Sequence, residues 1–331
     1  MSDPLLLDLA SNVYLEGDRL VLIDRRRLPV EIVPVFCESA EDVAQAIENM
    51  VVQGAGDIAI TAGYGLYLAA LRAFGPGWRS AGDLREAARR LKATRPTGYH
   101  LAALLDRLLD RVDREKEQDP PAVILRFLER ALERQREISR ETGRFGETLL
   151  DREDTILTHC FAGAGLLYML RFAGEKGKQV RLFCTETRPY LQGARLTAWS
   201  ARCLGVETTL ITDNMAAFFM SRGEIRKVFT AADRIAMDGA VANKVGTLQL
   251  AILADYFGLP FYVLGYGGPD RRTERGEDIP IEERDPAEVL FFQGIPITGP
   301  HVRARYPAFD ITPPELVTAV VTASGIRYRK N

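Results

Sequence analysis

The chain has 331 residues, 47% of them hydrophobic and 27% charged, with a formal net charge of −2. That length and balance suit a globular protein of about two domains, and they leave no basic excess to recruit nucleic acid or an anionic membrane. Four cysteines without a Cys-x-x-Cys pair, and three histidines, argue against a zinc site or a disulfide framework. No basic stretch followed by an apolar run opens the sequence, and no segment reaches the roughly 18 apolar residues that span a bilayer. A cytoplasmic location is expected.

Residues 11–35 alternate apolar and polar side chains (Val13-Tyr14-Leu15, then 20–23 and 30–35) and read as short strands with turns at Gly17-Asp18 and Pro29. From Ser39 the period becomes helical, with Ser39 and Asp42 forming a cap ahead of Val43, Ala46, Ile47 and Met50. A second helix follows Gly54-Ala55-Gly56-Asp57, and others are expected over 81–93 and 98–115. Residues 121–142 form a charged helix with Val123, Leu125, Phe127, Leu128, Leu132 and Ile138 on roughly one face, a bridge between domains. Apolar strands are then expected over 155–159, 180–184, 208–212, 228–231 and 260–264. Helices lie between them, notably 192–203 and 245–257, which close at Gly205 and Gly258, each suited to a left-handed cap. This alternation predicts an α/β fold. A small N-terminal β plus helical domain (1–120) and a connecting helix (121–145) precede a Rossmann-like, mostly parallel sheet domain (146–331).

In an open α/β sheet, ligands sit beyond the carboxyl ends of the strands. The strand ends in turn carry Cys160, then Thr185-Glu186-Thr187-Arg188, then Asp213-Asn214, then Asp233-Arg234. Each has an ordinary structural use. Glu186 can pair with Arg188, Asp213 can cap a helix before Met215, Asp233 can pair with Arg234 or Arg188, and Asn243-Lys244 can be a helix-start cap beside a solvated charge. Four strands all ending in reactive groups favour a functional edge.

The run Thr158-His159-Cys160-Phe161-Ala162-Gly163-Ala164-Gly165 places a thiol where a strand gives way to a glycine-rich turn and a helix N-terminus. Unpaired N–H groups there favour anions and thiolates, although a lone cysteine is more often an inert packing residue. His159 should face the other side of the strand from Cys160 and is read as packing. Gly163 and Gly165, with Glu186 further on, partly mimic a dinucleotide fingerprint, but Tyr168 occupies the third glycine position.

Taken together, these segments resemble the methylthioribose-1-phosphate isomerase family, relatives of the regulatory subunits of the exchange factor for eukaryotic initiation factor two. The resemblance runs through Met50-Val51-Val52-Gln53-Gly54-Ala55, Arg95-Pro96-Thr97, Thr158-His159-Cys160 and Glu186-Thr187-Arg188-Pro189 with Gln192-Gly193-Ala194-Arg195-Leu196-Thr197. It continues through Ala232-Asp233-Arg234-Ile235, Asn243-Lys244-Val245-Gly246-Thr247, Ile279-Pro280-Ile281-Glu282-Glu283-Arg284 and Pro307-Ala308-Phe309-Asp310.

The resemblance implies an aldose–ketose isomerase acting on a furanose 1-phosphate in methionine salvage, working without cofactor or metal, as a homodimer. It puts the catalytic pair on Cys160 and Asp233, and substrate contacts on Gln53, Gly54, Ala55, Arg95, Gln192, Asn243 and Lys244. A sugar phosphorylated at its anomeric carbon cannot open its ring unaided, so an acid must protonate the ring oxygen before hydrogen moves between C2 and C1. Asp233, raised by burial, is expected as that acid, and Cys160 as a thiolate that takes or relays the C2 proton. A hydride shift is the competing route.

The chain departs from the family pattern near the site. Gln53 stands for Arg, Gly56 for Pro, Phe161 and His100 for Asn, Ala231 for Gly, Ala240 for Asp, and Tyr306 for Asn. Arg25, where the family has Gln, is expected to restore the charge lost at Gln53. Two further readings therefore stand beside the methylthio substrate. One is isomerisation of another pentose 1-phosphate, such as 5-deoxyribose 1-phosphate or ribose 1,5-bisphosphate. The other is a regulatory homologue that binds a sugar phosphate or nucleotide without turnover.

Overall fold

The computed structural model describes residues 3–73, 81–95, 98–115 and 119–329. Pro96 and Thr97 of the Arg-Pro-Thr segment lie outside the described residues. The chain divides into two compact units, Asp8–Glu137 and Ile138–Asn331 with Met1–Leu7.

The first unit opens with an antiparallel sheet of β1 (Val13–Glu16), β2 (Arg19–Ile23) and β3 (Pro34–Cys37). The third strand starts later than the 30–35 pattern suggests, because Val30 and Ile32 are 86% and 62% exposed and have no sheet face to bury. Helices α1 (Ala40–Glu48), α2 (Ala55–Ala73), α3 (Ala81–Ala93) and α4 (Tyr99–Arg114) follow, and α5 (Pro120–Glu147) divides between the units. Ser39 caps α1 as expected, accepting from the Asp42 amide while Asp42 accepts from the Ser39 amide, a capping box. The second helix is buried almost all round from Ala59 to Ala70, so it serves as the axis on which α1, α3 and α4 pack.

The second unit alternates β4 (Glu153–Thr158), α6 (Ala164–Glu175), β5 (Gln179–Thr185), α7 (Trp199–Cys203), β6 (Glu207–Ile211), α8 (Ala216–Ser221) and β7 (Lys227–Ala231). It continues with β8 (Arg234–Ile235), β9 (Val241–Lys244), α9 (Thr247–Tyr256) and β10 (Phe261–Tyr266). Short pieces follow: β11 (Glu283–Arg284), α10 (Ala287–Leu290), β12 (Phe291–Phe292), β13 (Ile295–Pro296), β14 (Tyr306–Pro307) and β15 (Phe309–Thr312). The unit closes with β16 (Ala319–Thr322) and β17 (Gly325–Tyr328).

The main sheet has seven strands in the order β17-β16-β10-β7-β4-β5-β6, all parallel except β17. From β4 the chain adds β5 and β6 on one side, then crosses to add β7, β10 and β16 on the other. The order therefore reverses between β4 and β7, and such a switch point opens a crevice at the carboxyl ends of the two strands.

Strand alternation explains why the sheet is covered on both faces. Ile156, Leu182, Phe229, Tyr262 and Leu264 point into one apolar cluster, while Leu157, Phe183, Val228, Phe261 and Val263 point into the other. Truncating a fully enclosed member such as Phe229 to Ala would cost about 3–5 kcal/mol. A separate small antiparallel sheet, β15-β9-β8, lies beyond the end of β7. It carries Asn243 and Lys244 on a strand, not at the helix start that the sequence pattern suggests, since α9 begins only at Thr247.

Candidate active site

The switch point sets Cys160 just beyond β4 and Asp233 just beyond β7. Cys160 has φ +60, a left-handed conformation that costs a side chain with a Cβ about 1–2 kcal/mol. Its surroundings impose it. The Cys160 amide donates to Oγ1 of Thr187 at 2.9 Å, and its carbonyl accepts from Oγ1 of Thr197 at 2.6 Å.

Thr187 is itself at φ +65, and the amides of Thr187 and Arg188 both donate to the Asp213 carboxylate at 2.8 Å. Asp213 is therefore an anchor for the loop after β5. It does not cap α8, whose N-cap is Met215. Thr197 lies in a π-helical turn, Gly193–Ala198, that approaches β5 so closely that a Cβ at Gly193 would sit 1.8 Å from the Thr185 carbonyl oxygen. Only glycine permits that approach.

Burial pushes the Cys160 thiol up to about 12. The Lys244 ammonium and the Phe161 amide oppose the shift, while Asp233 and Asp213 add to it. The thiol thus shares its electrostatic neighbourhood with Lys244 and Asp233, and at neutral pH it rests protonated. The expected resting thiolate is not what this environment favours.

Nor is the glycine-rich turn an open anion cradle. The Gly165 amide donates to the Tyr266 hydroxyl at 3.2 Å, and that hydroxyl donates to the Ala162 carbonyl. A Cβ at Gly163 would meet the Tyr266 oxygen at 2.3 Å. The glycines make room for a tyrosine from the end of β10. This also removes the dinucleotide reading of the turn.

Lys244 is buried, 7% exposed, with Nζ 3.3 Å from the Tyr306 hydroxyl and 4.9 Å from the centre of the Phe309 ring. Aromatic faces of this kind attract an ammonium. Nδ2 of Asn243 donates to Oγ1 of Thr247 at 2.9 Å, and that hydroxyl donates to the Lys244 carbonyl at 2.7 Å. Gln192 is 5% exposed, and its Oε1 is a buried acceptor without a hydrogen bond.

The two arginines of this edge are committed elsewhere. Arg188 reaches the Val289 carbonyl at 3.2 Å, and Nε of Arg234 lies 4.0 Å from Asp270. Burial and Asp213 raise Glu186, with Arg188 opposing.

His159 is buried, and burial lowers its pKa. Its Nε2 contacts the Val245 carbonyl at 3.0 Å, which can only accept, so Nε2 carries the proton and Nδ1 accepts from the Thr185 hydroxyl at 2.6 Å.

The other expected contacts, Gln53, Gly54, Ala55 and Arg95, belong to the first unit. There Gln53 and Arg95 meet around Met50: Nε2 of Gln53 donates to the Met50 carbonyl at 3.1 Å, and Nη2 of Arg95 touches its sulfur. Gly54 has φ +99 and leads directly into α2 at Ala55.

Arg25 does lie at this loop, bonded to the Gln53 carbonyl, but it is 2% exposed. Its Nη2 is 2.7 Å from both Asp57 and Asn12. It braces the loop from within, and Asp57 neutralises the charge it was expected to offer.

Sequence reasoning passed over Tyr266 and assigned no role to Thr187 and Thr197, which it placed only within recognised segments. Tyr266 was within reach, because the strand-end rule extended to β10 arrives at it. Thr187 and Thr197 act only through long-range hydrogen bonds that no local pattern signals.

A thiol, a carboxylate and an ammonium at the switch point of a Rossmann-ordered sheet define an α/β enzyme of small-molecule chemistry. The sequence profile described as the Initiation factor 2 subunit family matches residues 51–328, and the chain belongs to that family. The methylthioribose-1-phosphate isomerase of Desulforudis audaxviator is 44% identical over 325 residues, spanning 95% of this chain and 93% of the relative. That of Thermosipho africanus is 42% identical, spanning 94% and 93%.

Among solved structures, the 5-methylthioribose 1-phosphate isomerase of Pyrococcus horikoshii superposes with a TM-score of 0.83 at 35% identity, covering 96% of this chain and 92% of that one. The translation initiation factor eIF-2B subunit delta from A. fulgidus gives 0.78 at 34%, covering 96% and 95%. No helix among the described residues is long and apolar enough to cross a membrane.

Proposed function

We propose that this chain is an aldose–ketose isomerase that converts 5-methylthioribose 1-phosphate to 5-methylthioribulose 1-phosphate in methionine salvage. The observation that carries the reading is nearly full-length identity of 41–44% with proteins bearing that name. The charge layout around Cys160 supports it.

We assign catalysis to Cys160 and Asp233. A neutral thiol is a proton donor, so the roles expected from the sequence exchange: Cys160, not Asp233, protonates the ring oxygen, and the bond between that oxygen and C1 breaks. Asp233 as the carboxylate then accepts a proton from the substrate. In the proton route it takes the C2 hydrogen, leaving an enol that keeps the phosphate on O1; Asp233 returns a proton to C1, and the O2 proton passes to the Cys160 thiolate to give the ketose. In the hydride route Asp233 takes the O2 proton while the C2 hydrogen moves with its electron pair to C1, and the proton on Asp233 then returns to the Cys160 thiolate. Either way the phosphate ester survives.

Lys244 supplies charge for the phosphate, and Gln192 Oε1 and Asn243 meet sugar hydroxyls. Gln53, Gly54, Ala55 and Arg95 are assigned substrate contacts on the family resemblance. A homodimer in the cytoplasm completes the reading.

The test is turnover across 5-methylthioribose 1-phosphate, 5-deoxyribose 1-phosphate and ribose 1,5-bisphosphate. Preference for the first is the expected result. A chain that binds one of them and isomerises none would be a regulatory homologue. Substrate deuterated at C2 separates the routes, since a hydride shift delivers the label to C1 and a proton relay washes it into water.

A further inference from the structure

Lys244 ends β9, and the turn that follows it is gripped from two sides. From the end of β4, Nε2–H of His159 donates to the Val245 carbonyl at 3.0 Å. From β15, the Asp310 carboxylate accepts from the Gly246 amide at 2.6 Å and from the Leu248 amide at 3.1 Å. Asp310 is in reach because β15 pairs with β9 in a register that sets it opposite Asn243, with Phe309 opposite Lys244.

Gly246 has φ +105, and a Cβ there would come within 3.1 Å of the imidazole. The turn is thus shaped to fit between the two side chains. His159 is also the residue before Cys160, and Thr185 fixes the far side of its ring. One rigid imidazole therefore links the strand end that carries the thiol to the turn that carries the lysine.

We propose that His159 and Asp310 are paired positioning residues that clamp the Val245-Gly246 turn and so set where the Lys244 ammonium stands relative to the Cys160 thiol. The kinetic consequence rests on the isomerase reading. The clamp itself consists of hydrogen bonds made without substrate.

The two jaws differ in their response to pH. Burial keeps His159 neutral, with Asp213 and Lys244 as the charges that face it. Burial raises Asp310 to about 6, against the pull of the Gly246 and Leu248 amides and of Lys244. Lys244 on β9 is the charged group that faces it; the first turn of α9 (Thr247, Leu248, Gln249) brings none. As pH falls through about 6, Asp310 gains a proton, loses acceptor capacity and releases that side of the turn.

The experiment compares the full-length chain with Asp310→Asn, Asp310→Ala, His159→Gln and His159→Leu. In the wild type the Gly246 amide proton should lie far downfield in the nitrogen-15 NMR spectrum and shift as pH crosses about 6. In Asp310→Asn it should move upfield and stop titrating. KM for 5-methylthioribose 1-phosphate should rise up to about 10²-fold in Asp310→Ala and His159→Leu. His159→Gln, which keeps a donor, should recover most of the loss.

An unchanged KM in a folded Asp310→Ala chain overturns the proposal, as does a Gly246 amide indifferent to Asp310. Should His159→Leu not fold, the Asp310 variants and the amide decide. If the wild type turns over no pentose 1-phosphate, the isomerase reading fails separately. Calorimetric affinity for ribose 1-phosphate then replaces KM, and equal affinity in wild type and Asp310→Ala counts against the clamp.

Discussion

Two turns in the second unit look alike in sequence, each a glycine between a strand and a helix, and they do opposite things. After β4, Gly163 and Gly165 are small because Tyr266 fills the space above them, and the Gly165 amide is spent on a phenol. After β9, Gly246 bends to φ +105 so that its amide meets a carboxylate. The first turn is closed by packing and the second by charge. A glycine before a helix therefore indicates a close approach, and what approaches decides the chemistry. Gly54 in the first unit is a third version, lying beside a buried arginine.

The largest expected effect tests whether the first turn carries the reaction at all. Cys160→Ser and Asp233→Asn should each lower kcat by about 10²–10⁴-fold on the preferred substrate. Near-wild-type kcat in either variant would remove that residue from catalysis, and in Cys160→Ser it would leave the turn a purely structural element.

Next in size is the thiol itself. With Cys160 pushed up to about 12, its thiolate fraction at neutral pH lies roughly 10³-fold below that of an ordinary cysteine. Iodoacetamide should therefore label it far more slowly than a free thiol, and labelling should accelerate as pH rises. Rapid modification at pH 7, read by mass spectrometry at the peptide, would show a thiolate held by the helix end and restore the anion-cradle view of this turn.

These effects also measure what was legible beforehand. The strands at 155–159, 180–184, 208–212, 228–231 and 260–264 emerge within two residues of their expected bounds; for all but the exposed edge strand β6 the reason is that an apolar run buried on both faces has few other uses. The short strands β8, β9 and β15 were not legible. A four-residue strand reading Val-Ala-Asn-Lys has no periodicity to detect, so Lys244 looked like a helix-start charge.

The site was legible as a set of strand ends, not as a mechanism. Cys160 could be placed from its turn, but its protonation state depends on burial and on Lys244 and Asp233, which are 84 and 73 residues away in sequence. Asp310 stood in a recognised segment, and its role depends on a register that only the folded sheet defines.

The turn at Gly54 supplies the next test. Arg25 lies beneath it, paired with Asp57 and bonded to the Gln53 carbonyl. Breaking a buried pair from one side strands the other charge, so Arg25→Gln should cost about 3–5 kcal/mol of stability in denaturant unfolding. A stable variant whose only defect is a raised KM would instead mean that Arg25 faces the phosphate.

The smallest effects divide the two turns most directly. Gly163→Ala must place a Cβ 2.3 Å from the Tyr266 oxygen at φ +80, whereas in Gly246→Ala the nearest ring atom is 3.1 Å away at φ +105. Gly246→Ala carries a left-handed penalty of about 1–2 kcal/mol; Gly163, with ψ −178, sits in a region essentially reserved for glycine that costs about 1–3 kcal/mol, and Gly163→Ala adds an overpacking cost of about 1–3 kcal/mol. Unfolding should therefore rank Gly163→Ala as the more damaging. In a Tyr266→Ala background the overpacking part should vanish, giving a coupling energy of that size in a double-mutant cycle. A coupling near zero would mean that Gly163 is needed for its backbone angle alone, and the distinction between a turn closed by packing and one closed by charge would collapse. If the coupling appears, the same cycle between Gly246→Ala and His159→Gln should give a smaller value, because a 3.1 Å contact is relieved by a few tenths of an ångström of ring movement.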